Sequence, residues 1–304
     1  MLPSEFFTDT GVVRHRVALL EPVDPEAAER YDRFISQGRH GQMAYLERYD
    51  EVRRDPRLLL EGARSIVCCA IPYPAPQPGC QVAAYALGDD YHEVIRRRLQ
   101  SAVEKIRQTY GGETRVCIDT APLRERYWAE RSGLGYVLLN NHLYIPGLGT
   151  YFFLAEILST AELPCDQPAA TQSPCLGCGR CLRACPAKAL SGDGSCDASR
   201  CLSYLTIEYR GDFPESTNLH GRLYGCDICA QACPLNAHRQ SDLPILPELQ
   251  PRPEVAALTS DAALRLDQTA FSALFRNSPI KRTKLAGLRR NANSLLNDSN
   301  SIAN

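Results

Sequence analysis

Residues 175–186 read Cys-Leu-Gly-Cys-Gly-Arg-Cys-Leu-Arg-Ala-Cys-Pro, with two, two and three residues between successive cysteines and a proline after the last. Thiolates at this spacing can wrap one face of a cubane iron–sulfur cluster, and the proline ends the turn. A second, incomplete copy, Cys-Asp-Ile-Cys-Ala-Gln-Ala-Cys-Pro, follows at residues 226–234. The two copies together predict two 4Fe–4S clusters held by one segment.

The spacing is that of bacterial ferredoxins, in which the fourth cysteine of one motif ligates the other cluster. Cluster 1 is therefore assigned Cys175, Cys178, Cys181 and Cys233. Cluster 2 is assigned Cys185, Cys226 and Cys229, and needs one more ligand. We choose Cys201 for it, with Cys196 as the competing candidate. Two zinc sites are the alternative, but four-coordinate zinc usually shows two separated C-x2-C pairs.

Composition narrows the class of protein. The chain has 304 residues and 14 cysteines, and it begins without the basic and apolar stretches of a signal peptide. We therefore expect a cytoplasmic protein with no membrane segment, whose cysteines serve metal or redox chemistry rather than disulfides. The formal net charge of −1 excludes a whole-protein field that holds nucleic acid, although a local basic patch remains possible.

Three further cysteines fall in short apolar runs. Cys68 and Cys69 lie in residues 65–71, and Cys117 lies in residues 115–118. Both runs predict buried strands, and a free cysteine there acts as a small core hydrophobe.

The chain divides into three predicted parts. Residues 1–165 carry strand and helix patterns, residues 166–240 carry both cysteine motifs, and residues 241–304 form a tail. A proline-containing linker over 163–168 joins the first two parts. The tail is predicted to be helical from 254 to about 295, with breaks near Pro279 and Gly287.

Asp119 is the most informative residue of the first part. It follows the predicted strand 115–118 and precedes a helix that Gly133 closes, a position where ligands often bind. Spacing alone favours the alternative that Asp119 is the N-cap of that helix. No dinucleotide-binding, P-loop or nucleophile-elbow motif is present in the sequence.

Over nearly its whole length the chain resembles the epoxyqueuosine reductase family, cobalamin-dependent iron–sulfur enzymes of tRNA modification. The stretches that carry the resemblance, besides both cysteine motifs, are residues 41–46, 54–56, 85–92, 119–135, 146–154, 200–208, 278–282 and 288–291.

The resemblance implies a reaction. The epoxide of epoxyqueuosine, at the wobble position of a tRNA anticodon, would be reduced to the alkene of queuosine. The first part would hold cobalamin with its lower base displaced, and the clusters would pass it single electrons. Asp119 would be the proton donor, which requires a carboxyl kept neutral by an apolar or shielded site. The family also places Cys201 as the eighth cluster ligand.

The implied fold is α+β. It consists of a cobalamin-binding α/β domain similar to nitroreductase and corrinoid-trafficking folds, a two-cluster ferredoxin-like domain and a short helical tail. Neither His92 nor His142 is assigned to the cobalt. The expected cofactor contacts are Arg54, Tyr85, Tyr91, His92, Tyr136, Asn140, Tyr151, Phe152 and Ser203.

Two departures from the family are visible. Leu138-Leu139 stands where the family usually has Gly-Lys, so a charged contact near the site is missing. The chain also lacks the helical repeat extension of longer members, and a reduced tRNA surface is expected.

A basic run in the tail is the predicted tRNA surface. Between residues 268 and 297 there are six basic residues and no acidic ones, which suits contact with phosphates. The alternative is a solvated cationic helix face. The residues assigned to tRNA are Lys281, Arg282, Lys284, Arg289 and Arg290.

The other expected partner is a one-electron donor such as flavodoxin or ferredoxin, and the chain is expected to be a monomer. Two alternative functions remain: a cobalamin iron–sulfur reductase of a small molecule, for example a reductive dehalogenase, and a non-catalytic electron carrier.

Overall fold

The computed structural model describes residues 1–166, 172–215 and 217–302, with the side chains of the last helix described to residue 297. Residues 167–168 of the predicted linker and residues 303–304 of the predicted tail lie outside the described residues.

An antiparallel sheet of four strands forms the centre of the molecule. The strands are β1 Arg14–Leu19, β2 Ser65–Pro72, β3 Thr114–Cys117 and β6 Phe152–Ser159, and their order across the sheet is β1-β2-β6-β3. The register pairs Val17 of β1 with Val67 of β2, and Cys68 of β2 with Glu156 of β6. Cys117 of β3 also lies opposite Glu156. A separate two-stranded ribbon consists of β4 Tyr136–Val137 and β5 Leu143–Tyr144.

Strand β2 is buried on both faces, as its unbroken apolar sequence predicts. One face packs with the helices that carry Ile95 and Ile106, and the other with the helix that carries Trp128. Cys68 and Cys69 are fully buried and Cys117 is 2% exposed, which confirms their prediction as core residues. Burial of an aliphatic side chain of β2, such as Ile66 or Val67, contributes about 1.5–3 kcal/mol to the free energy of unfolding.

Five helices accompany the sheet in residues 1–166. Their burial follows from amphipathic spacing, as in the helix that buries Ala102, Val103 and Ile106 on one side. They are α1 Pro25–Ser36, α2 Asp50–Arg54, α3 Tyr91–Arg98, α4 Gln100–Tyr110 and α5 Glu125–Arg131.

The predicted helix after Asp119 begins later than expected. Tight turns occupy the intervening residues, in which the amide of Thr120 donates to the carbonyl of Ile118 and that of Leu123 to Ala121. Helix α5 therefore begins at Glu125 and ends at Arg131, and Gly133 follows with a φ of 77°. Asp119 does not cap it, so the N-cap alternative is wrong.

The cysteine segment contains only short helices, as expected of a chain that wraps clusters. These are α6 Arg180–Ala184, α7 Leu202–Ile207 and α8 Ile228–Gln231. Helix α6 lies within the first cysteine motif and α8 within the second, and the two helices pack against each other.

The tail is helical, as predicted: α9 Pro253–Ala256, α10 Ser260–Arg265, α11 Gln268–Leu274 and α12 Lys284–Ile302. The break near Pro279 is confirmed, since residues 279–283 form a 3-10 helix. The break at Gly287 is wrong. A Cβ at Gly287 would lie 2.5 Å from Oγ1 of Thr283, so the glycine allows α12 to pack closely against the end of the preceding 3-10 helix.

A third core joins the tail to the rest of the chain. It combines Phe275 and Leu288 with Leu87 and with Leu202 and Tyr224, which come from the three predicted parts. Across the part of the chain that the structure describes, no helix has both the length and the apolar character needed to cross a bilayer.

Candidate active site and cluster sites

The cysteines assigned to cluster 1 lie together. Cys233, at the end of the second motif, interacts electrostatically with Cys175 and Cys178 of the first motif. Cys181 interacts with Cys233 and Cys175. Cys178 is exposed, whereas Cys181 is buried, so this group of thiols opens toward solvent on one side.

A cavity of about 430 Å³ contains the cysteines assigned to cluster 2. Both candidates for the last ligand are present, and the thiol of Cys196 donates a hydrogen bond to the sulfur of Cys201. The lining cysteines are Cys185, Cys196, Cys201, Cys226 and Cys229. Within the described ranges, no three His, Cys, Asp or Glu side chains converge as ligands of a single metal ion would.

His142 lies beside this cavity, with its Nε2 atom 3.5 Å from Sγ of Cys229. Burial, together with the charge of Arg126, lowers the pKa of the imidazole to about 4. His142 is therefore neutral and contacts a thiol of the cluster 2 set. No feature of the sequence indicates this contact between His142 and Cys229.

A second cavity, of about 2020 Å³, adjoins the first. It is larger than the roughly 300–1,000 Å³ of a drug-sized pocket, so a macrocycle and a nucleotide could share it. The residues that line both cavities are Tyr85, Tyr91, Asp119, Glu125, Arg126, Asn141 and Cys196. These side chains form the boundary between the thiols of cluster 2 and the large cavity.

Two arginines of the large cavity carry unsatisfied donors. Nε of Arg53 and both Nε and Nη2 of Arg124 are buried without a hydrogen-bond partner. The guanidinium of Arg124 lies 4.5 Å from the ring centroid of Tyr31. Buried donors of this kind need oxygen acceptors, which a ligand with amide or phosphate groups supplies. The cavity thus fits an amide-bearing macrocycle by size and by donor set.

Asp119 lies on the floor of the large cavity in a left-handed backbone conformation, with φ of 49°. Its Oδ2 atom accepts hydrogen bonds from Tyr91 Oη at 2.8 Å and from His92 Nε2 at 3.1 Å. Burial favours the neutral acid, but the hydrogen bonds from His92 and Tyr91 outweigh burial and lower the pKa of Asp119. In this state 59% of the side chain is exposed and the anion is favoured, whereas the predicted proton donor requires a neutral carboxyl.

His92 is held between two carboxylates. Its Nδ1 atom lies 2.7 Å from Oδ1 of Asp90, and its ring stacks on Tyr91 with centroids 4.0 Å apart. Burial lowers the imidazole pKa. The hydrogen bonds to Asp119 and Asp90 outweigh burial and raise the pKa to about 9. The imidazolium is therefore the charged form at neutral pH, and it points a proton at Asp119.

Glu125, the first residue of α5, is a site residue that sequence analysis missed. Its Oε1 atom accepts the backbone N–H of Asp119 at 2.5 Å. Burial and the negative charge of Asp119 raise the pKa of Glu125 to about 8. A glutamate that follows a candidate catalytic aspartate by six residues was visible in the sequence, but the turns that fold it back were not.

Glu156 lies behind Glu125 in the middle of the sheet. It is fully buried, and neither carboxyl oxygen has a hydrogen-bond partner. Burial and the charges of Glu125 and Asp119 raise its pKa well above the ordinary value. The sequence signal was a single acid within the apolar run of residues 152–158.

The structure brings most of the expected cofactor contacts to the cavities. Tyr85, Tyr91 and His92 line the large cavity. Asn140, Phe152 and Ser203 line the smaller one, where Asn140 Nδ2 donates to the carbonyl of Cys229 at 3.3 Å.

Three expected contacts are not among the lining residues of either cavity. Arg54 forms ion pairs with Asp32 and Asp50, at 2.5 and 2.6 Å, and the neighbouring Arg53 lines the large cavity. Tyr136 is paired in the β4–β5 ribbon. Tyr151 is 4% exposed and packs against a second tyrosine ring in the core.

Leu138 and Leu139 line the large cavity. At the position of the departure from the family pattern, this part of the cavity wall is therefore apolar. The glycine–lysine pair expected there would have supplied a cation.

The basic run of the tail does not form one free cationic face. Arg290 donates to the backbone carbonyls of Leu205, Tyr209 and Gly211, and its guanidinium lies 4.1 Å from the ring centroid of Phe213. These contacts hold α12 to the cysteine segment. Arg290, which the sequence assigns to tRNA, is therefore engaged within the chain.

The other basic residues of the run differ in their surroundings. Arg282 forms two hydrogen bonds of 2.9 Å with Glu208 at the edge of the large cavity. Arg289 donates to the carbonyl of Leu266 at 2.6 Å. Lys281 lines the large cavity. Lys284 is the first residue of α12 and is exposed to solvent.

Comparisons with known proteins agree on one family. A profile described as "Epoxyqueuosine reductase QueG, DUF1730" matches residues 53–120, and one described as "4Fe-4S double cluster binding domain" matches residues 174–236. An epoxyqueuosine reductase of Gloeobacter violaceus is 37% identical over 93% of this chain and 91% of its own length. One of Cellulophaga algicola is 33% identical over 89% of each chain.

Solved structures agree with the sequence relatives. A crystal structure of an epoxyqueuosine reductase with an epoxyqueuosine-modified tRNA-Tyr stem loop matches 96% of this chain and 79% of its own, with a TM-score of 0.87 and 30% identity. The structure of the epoxyqueuosine reductase from Streptococcus thermophilus matches 99% of this chain and 82% of its own, with a TM-score of 0.86 and 26% identity.

Proposed function

The chain belongs to the epoxyqueuosine reductase family, and we propose that it reduces the epoxide of epoxyqueuosine, in the anticodon of a tRNA, to the alkene of queuosine. It is an oxidoreductase that carries two 4Fe–4S clusters and takes tRNA as its substrate partner. The prediction of two clusters from the cysteine spacing is confirmed.

One observation in this chain supports the proposal most directly. The cavity of the cluster 2 cysteines and the large cavity share a wall that contains Asp119 and Glu125. Electrons can therefore arrive at the place where acids are available. Reduction of an epoxide to an alkene needs both, because the oxygen leaves with protons while the carbons take electrons.

The large cavity is the proposed cobalamin site. When bound, cobalamin supplies a cobalt centre that accepts single electrons and engages an epoxide carbon. Arg53 and Arg124 would donate to oxygen atoms of its side chains, and Leu138 and Leu139 would contact its apolar edge. Tyr91 and Phe153, which stack at 4.2 Å, would form the aromatic wall toward cluster 2.

The proposed electron route begins at cluster 1, whose Cys178 is exposed, and continues through cluster 2. The ligands are those assigned from the spacing, with Cys201 in the eighth position. An external one-electron donor of the flavodoxin or ferredoxin type delivers electrons to cluster 1. We further propose that the chain acts as a monomer in the cytoplasm, where thiols stay reduced.

Asp119 and His92 act together as the first proton source. The imidazolium of His92 donates to Asp119, and Asp119 faces the cavity. Binding of the cofactor and the nucleoside excludes water, which makes an ion pair less favourable than a neutral pair. The proton then moves from Nε2 of His92 to Asp119, and from there to the oxygen as the ring opens. This retains the predicted role of Asp119 by a different route.

We propose that the chain divides into three parts, as its sequence indicates. Residues 1–165 are proposed as the cobalamin-binding domain, 166–240 as the ferredoxin-like domain and 241–304 as the tail that contacts tRNA. An electron carrier without catalysis would leave the large cavity and its acids without a role.

Expression in cells that accumulate epoxyqueuosine tests the function. Nucleoside mass spectrometry of their tRNA should show queuosine with the wild-type chain and much less with Asp119→Asn. Unchanged epoxyqueuosine with well-folded, cluster-loaded wild-type protein would refute the proposed function.

A further inference from the structure

Two protons are needed for the proposed reaction. Both C–O bonds of the epoxide break, a C=C bond forms, and the oxygen leaves as water. Two electrons, supplied by the one-electron donor through the clusters, and two protons balance this change. The pair of His92 and Asp119 holds one transferable proton between them. A second acid is therefore required at the same cavity.

Glu125 is the only other carboxylic acid, within the described residues, that lines both cavities together with Asp119. Its Oε1 atom is fixed by the backbone N–H of Asp119, so the two residues move as one unit. Glu125 therefore lies beside Asp119 at the boundary of the two cavities. Nothing in the sequence resemblance gave this residue a role.

We propose that Glu125 supplies the second proton, the one with which the epoxide oxygen leaves as water. The proposal rests on the proposed function. After the first proton has gone to the oxygen, Asp119 is an anion again and cannot act twice without a supply. Glu125 provides that supply, either directly into the cavity or by a water molecule that bridges it to the Asp119 carboxylate.

The surroundings keep the Glu125 proton in place until it is needed. Burial and the Asp119 anion both disfavour a second negative charge, so Glu125 is neutral up to a pH of about 8. The titratable or charged groups that face it are Asp119, Glu156, His92, Tyr91, Arg126, Cys68 and Cys117.

Glu156 strengthens this arrangement from below. It lies on the sheet face that packs against α5, between Cys68 and Cys117 on the neighbouring strands. With both carboxyl oxygens buried and unpartnered, it has no group that would stabilise its charge. Glu156 thus offers neither a hydrogen bond nor a positive charge that would stabilise an ionised Glu125, and the proton stays on Glu125.

The test compares wild-type protein with Glu125→Gln in single turnovers, using anaerobically reconstituted protein, cobalamin and an epoxyqueuosine-containing stem loop. Glutamine keeps the acceptor for the Asp119 amide but holds no acidic proton. We expect about a 10²-fold slower turnover, the range of lost acid catalysis. We also expect the decline of the wild-type rate near pH 8 to vanish, which leaves only the decline near pH 9 from His92.

Two variants control for structure. Glu125→Asp keeps an acid one methylene shorter and should recover part of the rate, which a packing role would not predict. Glu104→Gln removes an exposed carboxyl on α4 and should match wild type. Infrared difference spectra give a readout independent of turnover. In wild type one neutral-carboxyl C=O band should be lost as the pH passes about 8, and this pH-dependent change should be absent in Glu125→Gln, whereas the band of the neutral Glu156 stays in both proteins.

The outcomes separate the two claims. An active wild type whose rate and pH profile match those of Glu125→Gln would overturn the proton proposal alone. A wild type that forms no queuosine, although the infrared band is present, would refute the proposed function, and the proton proposal would fall with it.

Discussion

The Nε2 atom of His92 lies 3.1 Å from Oδ2 of Asp119, and its Nδ1 atom lies 2.7 Å from Asp90. The imidazole is thus fixed by two carboxylates, and it donates its Nε2 proton toward the floor of the large cavity. This arrangement makes Asp119 a base at rest and an acid only after it has received the proton of His92. Such a donor needs a shielded site only when the bound cofactor and nucleoside have excluded water from the cavity.

Replacement of His92 by glutamine should reveal this dependence. His92→Gln keeps a hydrogen-bond donor near Asp119 but removes the proton that titrates near pH 9. We expect turnover to fall about 10²-fold, with the alkaline decline near pH 9 lost. The sign follows from the raised pKa, because the acid form is present below it and disappears above it. A rate within twofold of wild type would contradict the shared role.

Asp119→Asn separates chemistry from binding. The amide cannot carry the proton, so turnover should fall about 10²–10⁴-fold. Iron content and the absorption spectrum of bound cobalamin should stay unchanged, because Asp119 makes no contact with the cluster thiols. Loss of cobalamin binding in this variant would instead assign Asp119 a structural role.

A matched pair of cysteine variants decides the eighth cluster ligand. Cys201→Ser should lose about half of the iron and the signal of one cluster, whereas Cys196→Ser should keep both. Iron analysis and electron paramagnetic resonance of the reduced proteins provide the readout. The reverse result would assign the position to Cys196, whose thiol lies within hydrogen-bond distance of Cys201.

Glu156→Gln should change the pH dependence of stability. Glu156 stays neutral in the folded protein, whereas in the unfolded chain it ionises above its ordinary pKa. Above that pH the folded protein therefore holds one proton more than the unfolded chain, and its stability falls as the pH rises. This group alone lowers the free energy of unfolding by about 1.4 kcal/mol per pH unit over that window. Glutamine removes this loss.

Thermal melting at acidic and neutral pH measures the effect. The advantage of Glu156→Gln over wild type should grow as the pH rises. Parallel curves for the two proteins would show that Glu156 is ionised in the folded state.

The tail separates binding from stability. Lys281→Gln should weaken stem-loop binding and reduce the slope of log affinity against log salt by about 1.

Arg290→Gln should lower the free energy of unfolding by about 3 kcal/mol, because three backbone carbonyls and an aromatic ring lose their cation. Its effect on the salt slope should be absent. A lowered slope in Arg290→Gln would restore it to the tRNA surface.

The sequence was sufficient for features that depend on local pattern. The cysteine spacing indicates two clusters, and the runs around Cys68 and Cys117 predict two strands to within one residue. Around Cys68 the signal is an unbroken apolar run, because both faces of β2 are buried. The start of α5 could not be predicted, because the turns after Asp119 have no glycine and one proline.

Features that depend on distant contacts were missed. Arg290 looks like a free cation in sequence, but its acceptors lie about eighty residues earlier in the chain. Arg54 and Arg53 are adjacent, and only the path of α2 decides which one reaches the cavity. The acids Glu125 and Glu156 meet only through the pairing of β6 under α5.

The most direct test of the function uses purified protein. Anaerobically reconstituted chain is mixed with cobalamin, a strong one-electron reductant and an epoxyqueuosine-containing anticodon stem loop, and the nucleosides are analysed by mass spectrometry. We predict queuosine with cobalamin and none without it. Bound cobalamin and intact clusters with no queuosine would contradict the account and favour a small-molecule substrate.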